Sequence, residues 1–267
     1  MSSHPRRKFL QASALAVGAW GTTTSFDAMA VDTATDRGGR RQYYEWRTYR
    51  ANKIAQQSRI KDYLQTAALP AWKRQAVDPV GVFTEYGEQA SAAVHVLLTF
   101  ETAAQAVTLR AGLETDPQYR EAAAQHLAAT KEEPAFSRIE STLLVAFGGQ
   151  PRLMIPNRTP RLLELRTYQS HSEAKARRKI EMFNDGEIPI FREAGFETVF
   201  FGESLIGSGI PNLKYLLAAQ DMEANRAGWK AFVGHPDWKA MKDLPKYADT
   251  VSHIDKQFLV PTSFSEV

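Results

Sequence analysis

Glu45-Trp46-Arg47-Thr48-Tyr49 returns 119 positions later as Glu164-Leu165-Arg166-Thr167-Tyr168. Leu69-Pro70-Ala71-Trp72 returns as Ile188-Pro189-Ile190-Phe191, and Asp116-Pro117-Gln118-Tyr119 as His235-Pro236-Asp237-Trp238, at the same offset. Phe136-Ser137-Arg138-Ile139-Glu140 matches Val251-Ser252-His253-Ile254-Asp255 at an offset of 115. A period this long is too great for a solenoid and implies two copies of one small domain. The offset is expected to switch between its two values inside connections, where length changes are tolerated.

Within each copy the residues predict the same elements. Tyr43 to Tyr49 alternates, with Tyr43, Glu45, Arg47 and Tyr49 on one face and Tyr44, Trp46 and Thr48 on the other. Glu164, Arg166 and Tyr168 oppose Leu163, Leu165 and Thr167 in the second copy, so each run reads as a strand. Helical spacing follows in Ile60, Tyr63, Leu64 and Ala67, and in Ile180, Phe183 and Ile188. Pro70 and Pro189 near its end predict a kink, or a restart with proline in the first turn. Strands are expected over Gly81–Tyr86 and Ala93–Phe100, matched by Thr198–Gly202 and Leu213–Ala219. Thr102 with Gln105 forms a capping box opening the next helix, and Asp221 is its counterpart. Last strands are expected over Arg138–Phe147 and His253–Val260. The order β-α-β-β-α-β, twice, predicts an α+β fold of tandem ferredoxin-like repeats. One sheet face would lie under helices, expected to be the Trp/Leu face. The other, with Glu45, Arg47, Tyr49 and their copies, would turn inward as two sheets close into a pseudo-dimeric α/β barrel. Closure within one chain and closure between chains both fit.

The organisation expected is a signal over 1–30, a flexible leader over 31–42, and domains over 43–148 and 161–267 joined by a linker at 149–160. Arg6-Arg7-Lys8-Phe9-Leu10, an apolar run to Trp20 and Ala28-Met29-Ala30 read as a twin-arginine (Tat) signal peptide, with Arg6 and Arg7 as the pair. The apolar run is short of the roughly 20 residues a membrane helix needs. The expected location is therefore the periplasm or the extracellular space. Arg6, Arg7, Lys8 and Asp27 would leave with the signal. The 33 basic and 30 acidic residues would then become 30 and 29, a formal net of +1. No basic stripe for nucleic acid remains. Cysteine is absent, which excludes disulfides, thiolate metal sites and a cysteine nucleophile.

The Glu164-Leu165-Arg166-Thr167-Tyr168 opening and the Trp229-Lys230-Ala231-Phe232-Val233-Gly234-His235-Pro236-Asp237-Trp238 element resemble the NIPSNAP family. The first half carries weaker versions of both. The resemblance implies the dimeric α/β-barrel superfamily, which contains cofactor-free monooxygenases, haem enzymes and non-enzymatic domains. It carries over no defined reaction. Eukaryotic members are tied to mitochondria and to interaction roles, whereas this chain opens on a twin-arginine signal.

Glu45, Arg47, Tyr49, Glu164, Arg166 and Tyr168 are the candidate ligand-binding residues, as a charged floor with hydrogen-bonding walls. A structural ion pair in each copy is the competing reading, favoured by repetition. His95, in the apolar run Val94-His95-Val96-Leu97-Leu98, is the first catalytic candidate, as an acid/base group or an axial haem ligand. The plainer alternative is a histidine on a partly exposed strand face; its counterpart is Lys214. His253 with Asp255, and His171 with Glu173, are too few for a metal. His235 and Trp238 suit a helix-joining turn. Gly202 to Gly209 lacks the ending of a phosphate loop and reads as a mobile hairpin overhanging the barrel. No cofactor is evident. The expected behaviour is binding of a small molecule or a partner, with homo-oligomerisation open; an oxidoreductase of the superfamily is the alternative.

Overall fold

The computed structural model describes residues 40–157 and 161–267. The signal sequence, and most of the leader before it meets the domain, lie outside the described residues. The first half runs β1 (Tyr43–Arg50), α1 (Ile54–Tyr63), α2 (Leu69–Arg74), β2 (Val80–Glu85), β3 (Val94–Phe100), α3 (Ala103–Thr115), α4 (Pro117–Ala122), α5 (Ala124–Leu127) and β4 (Arg138–Ala146). The second half repeats the order with β5 (Leu162–Gln169), α6 (Glu173–Met182), α7 (Ile188–Glu193), β6 (Glu197–Ile206), β7 (Asn212–Ala219), α8 (Met222–Gly234), α9 (Pro236–Lys242) and β8 (His253–Pro261).

The eight strands form one closed antiparallel barrel in the order β1-β3-β2-β8-β5-β7-β6-β4. Each half supplies a ferredoxin-like sheet, β4-β1-β3-β2 or β8-β5-β7-β6. Two seams join them. Phe83 to Glu85 pair with Pro261 to Leu259, and Leu143 to Ala146 pair with Ile206 to Gly202. Every sheet edge is thereby paired within one chain, which removes the open edges that invite association.

Pro70 and Pro189 are absorbed by a π turn immediately before them, Leu64–Ala68 and Phe183–Glu187. The Leu69 and Ile188 amides reach back to the Leu64 and Phe183 carbonyls, and the helix restarts with proline in its first turn. Thr102 and Gln105 close the expected capping box at 3.2 and 3.0 Å, and Asp221 accepts from the Ala224 amide at 2.8 Å. The repeat offset stays at 119 from β1 through the paired strands to α4, since Gly81 and Phe200 face the equivalent residues Leu97 and Leu216. It changes to 115 once, between α4 and β4, so the several switches expected reduce to one.

The faces are the reverse of the expectation. Tyr44, Trp46, Phe83, Leu97, Leu163, Leu165, Phe200 and Leu216 point into the lumen and pack there with Val267. Glu45, Arg47 and Tyr49, with their copies, lie on the outer surface beneath the helices. The reason is that the central strands are apolar on both faces: Val94–Phe100 is buried throughout. Val80, Val82, Val94, Val96 and Leu98 already give Ile60, Leu64 and Trp72 an apolar seat outside, so the inner set was free to fill the barrel. Two further expectations also change. Gln42, the last residue of the leader, is buried and bonded to Glu101 and to the Leu153 amide. Residues Gly202 to Ile206 are strand rather than loop, and Asn212 pins the turn that follows through the Ser208 and Gly209 carbonyls.

Candidate functional site

Beneath the helices, β1 and β5 present the same triad. Arg47 grips Glu45 with two hydrogen bonds, Nε to Oε1 at 2.7 Å and Nη2 to Oε2 at 2.9 Å, and its Nη1 lies 3.4 Å from the Tyr49 hydroxyl. Arg166 repeats the contacts to Glu164 at 2.7 Å and to Tyr168 at 3.4 Å. Alternation on one strand brings the three side chains together. A charged pair here stays tolerable only because each group is partnered.

The two copies differ in what covers them. In the second, α8 lies across the triad. Asn225 and the Trp229 indole donate to Glu164 Oε2 at 2.8 and 2.6 Å, and the Arg166 guanidinium sits 3.6 Å from the centre of the Trp229 ring. Glu164 is 1% exposed. In the first copy, α3 places Ala106 and Arg110 at the two equivalent positions. Arg110 points to solvent and pairs with Glu114 instead. A cleft of about 740 Å³ results, with Glu45, Arg47 and Tyr49 at its base. Its walls are mainly apolar and include Leu109, Leu113, Tyr119, Leu127 and Phe136. At its rim the His126 ring stacks on Tyr63 at 3.6 Å, and burial pushes its pKa down to about 4. Burial also raises the pKa of the Tyr49 and Tyr63 hydroxyls, so both remain protonated donors.

A second opening lies inside the barrel. The apolar filling stops at Trp46 and Leu165, leaving a polar mouth of about 670 Å³. His95 is 2% exposed and faces this lumen. Its Nε2 lies 3.2 Å from Glu85 and its Nδ1 3.1 Å from the Thr48 hydroxyl. Hydrogen bonds from His95 and Ser91 hold the Glu85 carboxyl down to about 2, so it is ionised and accepts the Nε2 proton. Both ring nitrogens are therefore engaged, and His95 does not fit the role of a haem ligand. Opposite, the Lys214 amine donates to Thr167 at 2.9 Å, and burial lowers its pKa.

Of the sequence-predicted residues, Glu45, Arg47 and Tyr49 line the cleft. Glu164 is sealed under α8, Arg166 stacks against its Trp229, and Tyr168 packs instead on Phe183 and Tyr215. His95 is in the lumen, apart from both triads. His235 caps α9 by accepting from the Asp237 amide and bonds Glu193, and Trp238 packs 4.8 Å from Phe232, as a joining turn requires. His253 pairs with Asp255 at 2.9 Å, and among the described residues no group of three His, Asp or Glu could hold a metal. Gly207 and Ser208 do reach the barrel mouth. Sequence reading missed Ala106, Arg110 and Asn225. Reading α3 against α8 at the constant offset would have exposed them, because two bulky polar positions differ between otherwise parallel helices.

The NIPSNAP family model matches residues 163–266. Solved structures share the fold. A monooxygenase-like protein of Lactobacillus acidophilus is 11% identical, with a TM-score of 0.55 over 83% of this chain and 94% of its own. A monooxygenase-like protein of Fusobacterium nucleatum is 8% identical, at 0.53 over 83% and 92%. A NIPSNAP-like domain protein of Burkholderia xenovorans is 19% identical over 41% of this chain and 92% of its own, at 0.37. For the two monooxygenase-like proteins the likeness is one of fold alone. No curated protein matches the chain.

Proposed function

We propose that this chain is an exported small-ligand-binding protein built from two NIPSNAP-like copies, 43–148 and 161–267, and that its ligand occupies the cleft of the first copy. One observation carries the reading. The same Glu-x-Arg-x-Tyr triad is plugged by Asn225 and Trp229 in one copy and left open by Ala106 and Arg110 in the other. In the covered copy the Glu164 carboxylate is spent on its own chain, which supports reading the open copy as the one available to a ligand. The open one has the size and the mix of apolar wall and few polar groups of a small-molecule site. Its occupant is a mostly apolar molecule, with a hydroxyl or carbonyl to meet Tyr49 and the Arg47–Glu45 pair. The oxidoreductase alternative rests on superfamily analogy, with His95 as the first residue to test; His95 lies in the lumen, apart from this cleft, and the alternative is not adopted.

Native mass spectrometry of protein purified from its own host tests this. A small molecule should co-purify with the wild-type chain and be lost from Ala106→Asn/Arg110→Trp, which rebuilds the plug. Repeated recovery of an empty wild-type chain would overturn the reading. Export is supported by the paired arginines, the apolar run and Ala28-Met29-Ala30. Arg6→Lys/Arg7→Lys should leave the protein uncleaved in the cytoplasm, and unchanged fractionation would rule the signal out.

A further inference from the structure

The mouth of the lumen is a different place from the cleft, and the duplication makes it unusual. In the ring of eight strands, β3 and β7 stand four positions apart, on opposite walls. His95 and Lys214 occupy equivalent positions on these two strands. Their neighbours Thr48 and Thr167, on β1 and β5, are equivalent too. The same threonine hydroxyl therefore appears on both walls, serving an imidazole on one and an ammonium on the other.

The charges at this mouth are unevenly satisfied. Glu85 has His95 and Gln257 as donors, Glu140 has Arg50, and Asp255 has His253. Lys214 donates to the Thr167 hydroxyl, and Asp255 acts on it only at longer range. Among the described residues Lys214 makes no ion pair within 4.0 Å. A half-buried cation with spare N–H donors and its nearest acid, Asp255, beyond 4.0 Å is under-satisfied unless something outside the chain completes it. Beneath it the floor is apolar, where Trp46 stacks on Phe83 with ring centres 5.9 Å apart.

We propose that the barrel mouth is a second ligand site, taking a small hydroxylated carboxylic acid. Its carboxylate accepts from Lys214, its body rests on Trp46 and Leu165, and its hydroxyl reaches the Thr48–His95 wall. The site needs neither the Arg47 triad nor any helix.

The test is a titration of the full chain with 4-hydroxybenzoate, followed by amide chemical shifts. Saturable shifts should gather at Thr48, Thr167 and Lys214. Lys214→Met should weaken binding by about tenfold to a hundredfold, the range for one charge-assisted contact. Lys214→Gln, which keeps a polar head, should lose as much, so a folding defect in one variant does not decide the result. Benzoate, lacking the hydroxyl, should bind more weakly to wild type, and that difference should shrink in His95→Ala. Failure of 4-hydroxybenzoate to bind wild type, or binding to both Lys214 variants as tight as to wild type, would overturn the proposal. Shifts gathered instead at Arg47 and Leu109, and abolished by Ala106→Asn/Arg110→Trp, would also overturn it while leaving the cleft reading intact.

Discussion

Two side chains tie the stability of this protein to acid in separate windows. His126 titrates near 4 in the folded chain against an ordinary 6.5, because burial disfavours its charged form. The unfolded chain takes that proton first, so stability should fall as pH drops from 6.5 toward 4. His126→Phe keeps a ring against Tyr63, and urea unfolding should show a flatter profile across that range. Glu85 behaves as a depressed carboxyl, at about 2 against 4.5. Its contribution is complete above 4.5 and is lost as pH falls through 2. Glu85→Gln should remove that loss below pH 4.5. An unchanged acid limb would mean that the His95 contact contributes nothing to folding. The Glu-x-Arg-x-Tyr triads were legible as residues, since their repetition and alternation are written in the chain. Their surroundings were not, because the plug comes from a single helix some 60 positions downstream, with Asn225 and Trp229 over Glu164.

At the scale of elements, α3 and α8 are the parts that diverge. Trp229 joins α8 to β5 through its hydrogen bond to Glu164 and its stack on Arg166. Trp229→Ala should cost about 3 kcal/mol in denaturant unfolding, since it removes a large ring and strips a donor from a buried carboxylate. The equivalent truncation at Arg110, exposed and outside any packed contact with the triad, should lie within about 0.5 kcal/mol of wild type. The capping box predicts a smaller effect: Thr102→Ala should cost about 1 kcal/mol. Strand and cap positions were readable, because alternation and caps are local signals. The π turns were not anticipated as such. The sequence marks the prolines, and the backbone chooses how to absorb them.

For the whole molecule, closure within one chain depends on two short seams. Residues 43–148 alone would expose Tyr44, Trp46, Phe83 and Leu97, which the other half now covers. That fragment should self-associate or aggregate, as size-exclusion chromatography with light scattering would show; a well-behaved monomer would contradict the role of the lumen core. The repeated order of elements and the barrel class were determined by sequence alone, because period and alternation are properties of a linear chain. Which strand face turned inward was decided only in three dimensions. Alternation divides residues into two sets without labelling either, and here both sets found apolar company. Packing placed Tyr44, Trp46, Phe83 and Phe200 where eight strands could bury them together, and it left the ion pairs outside, where α8 hydrogen-bonds the one at Glu164.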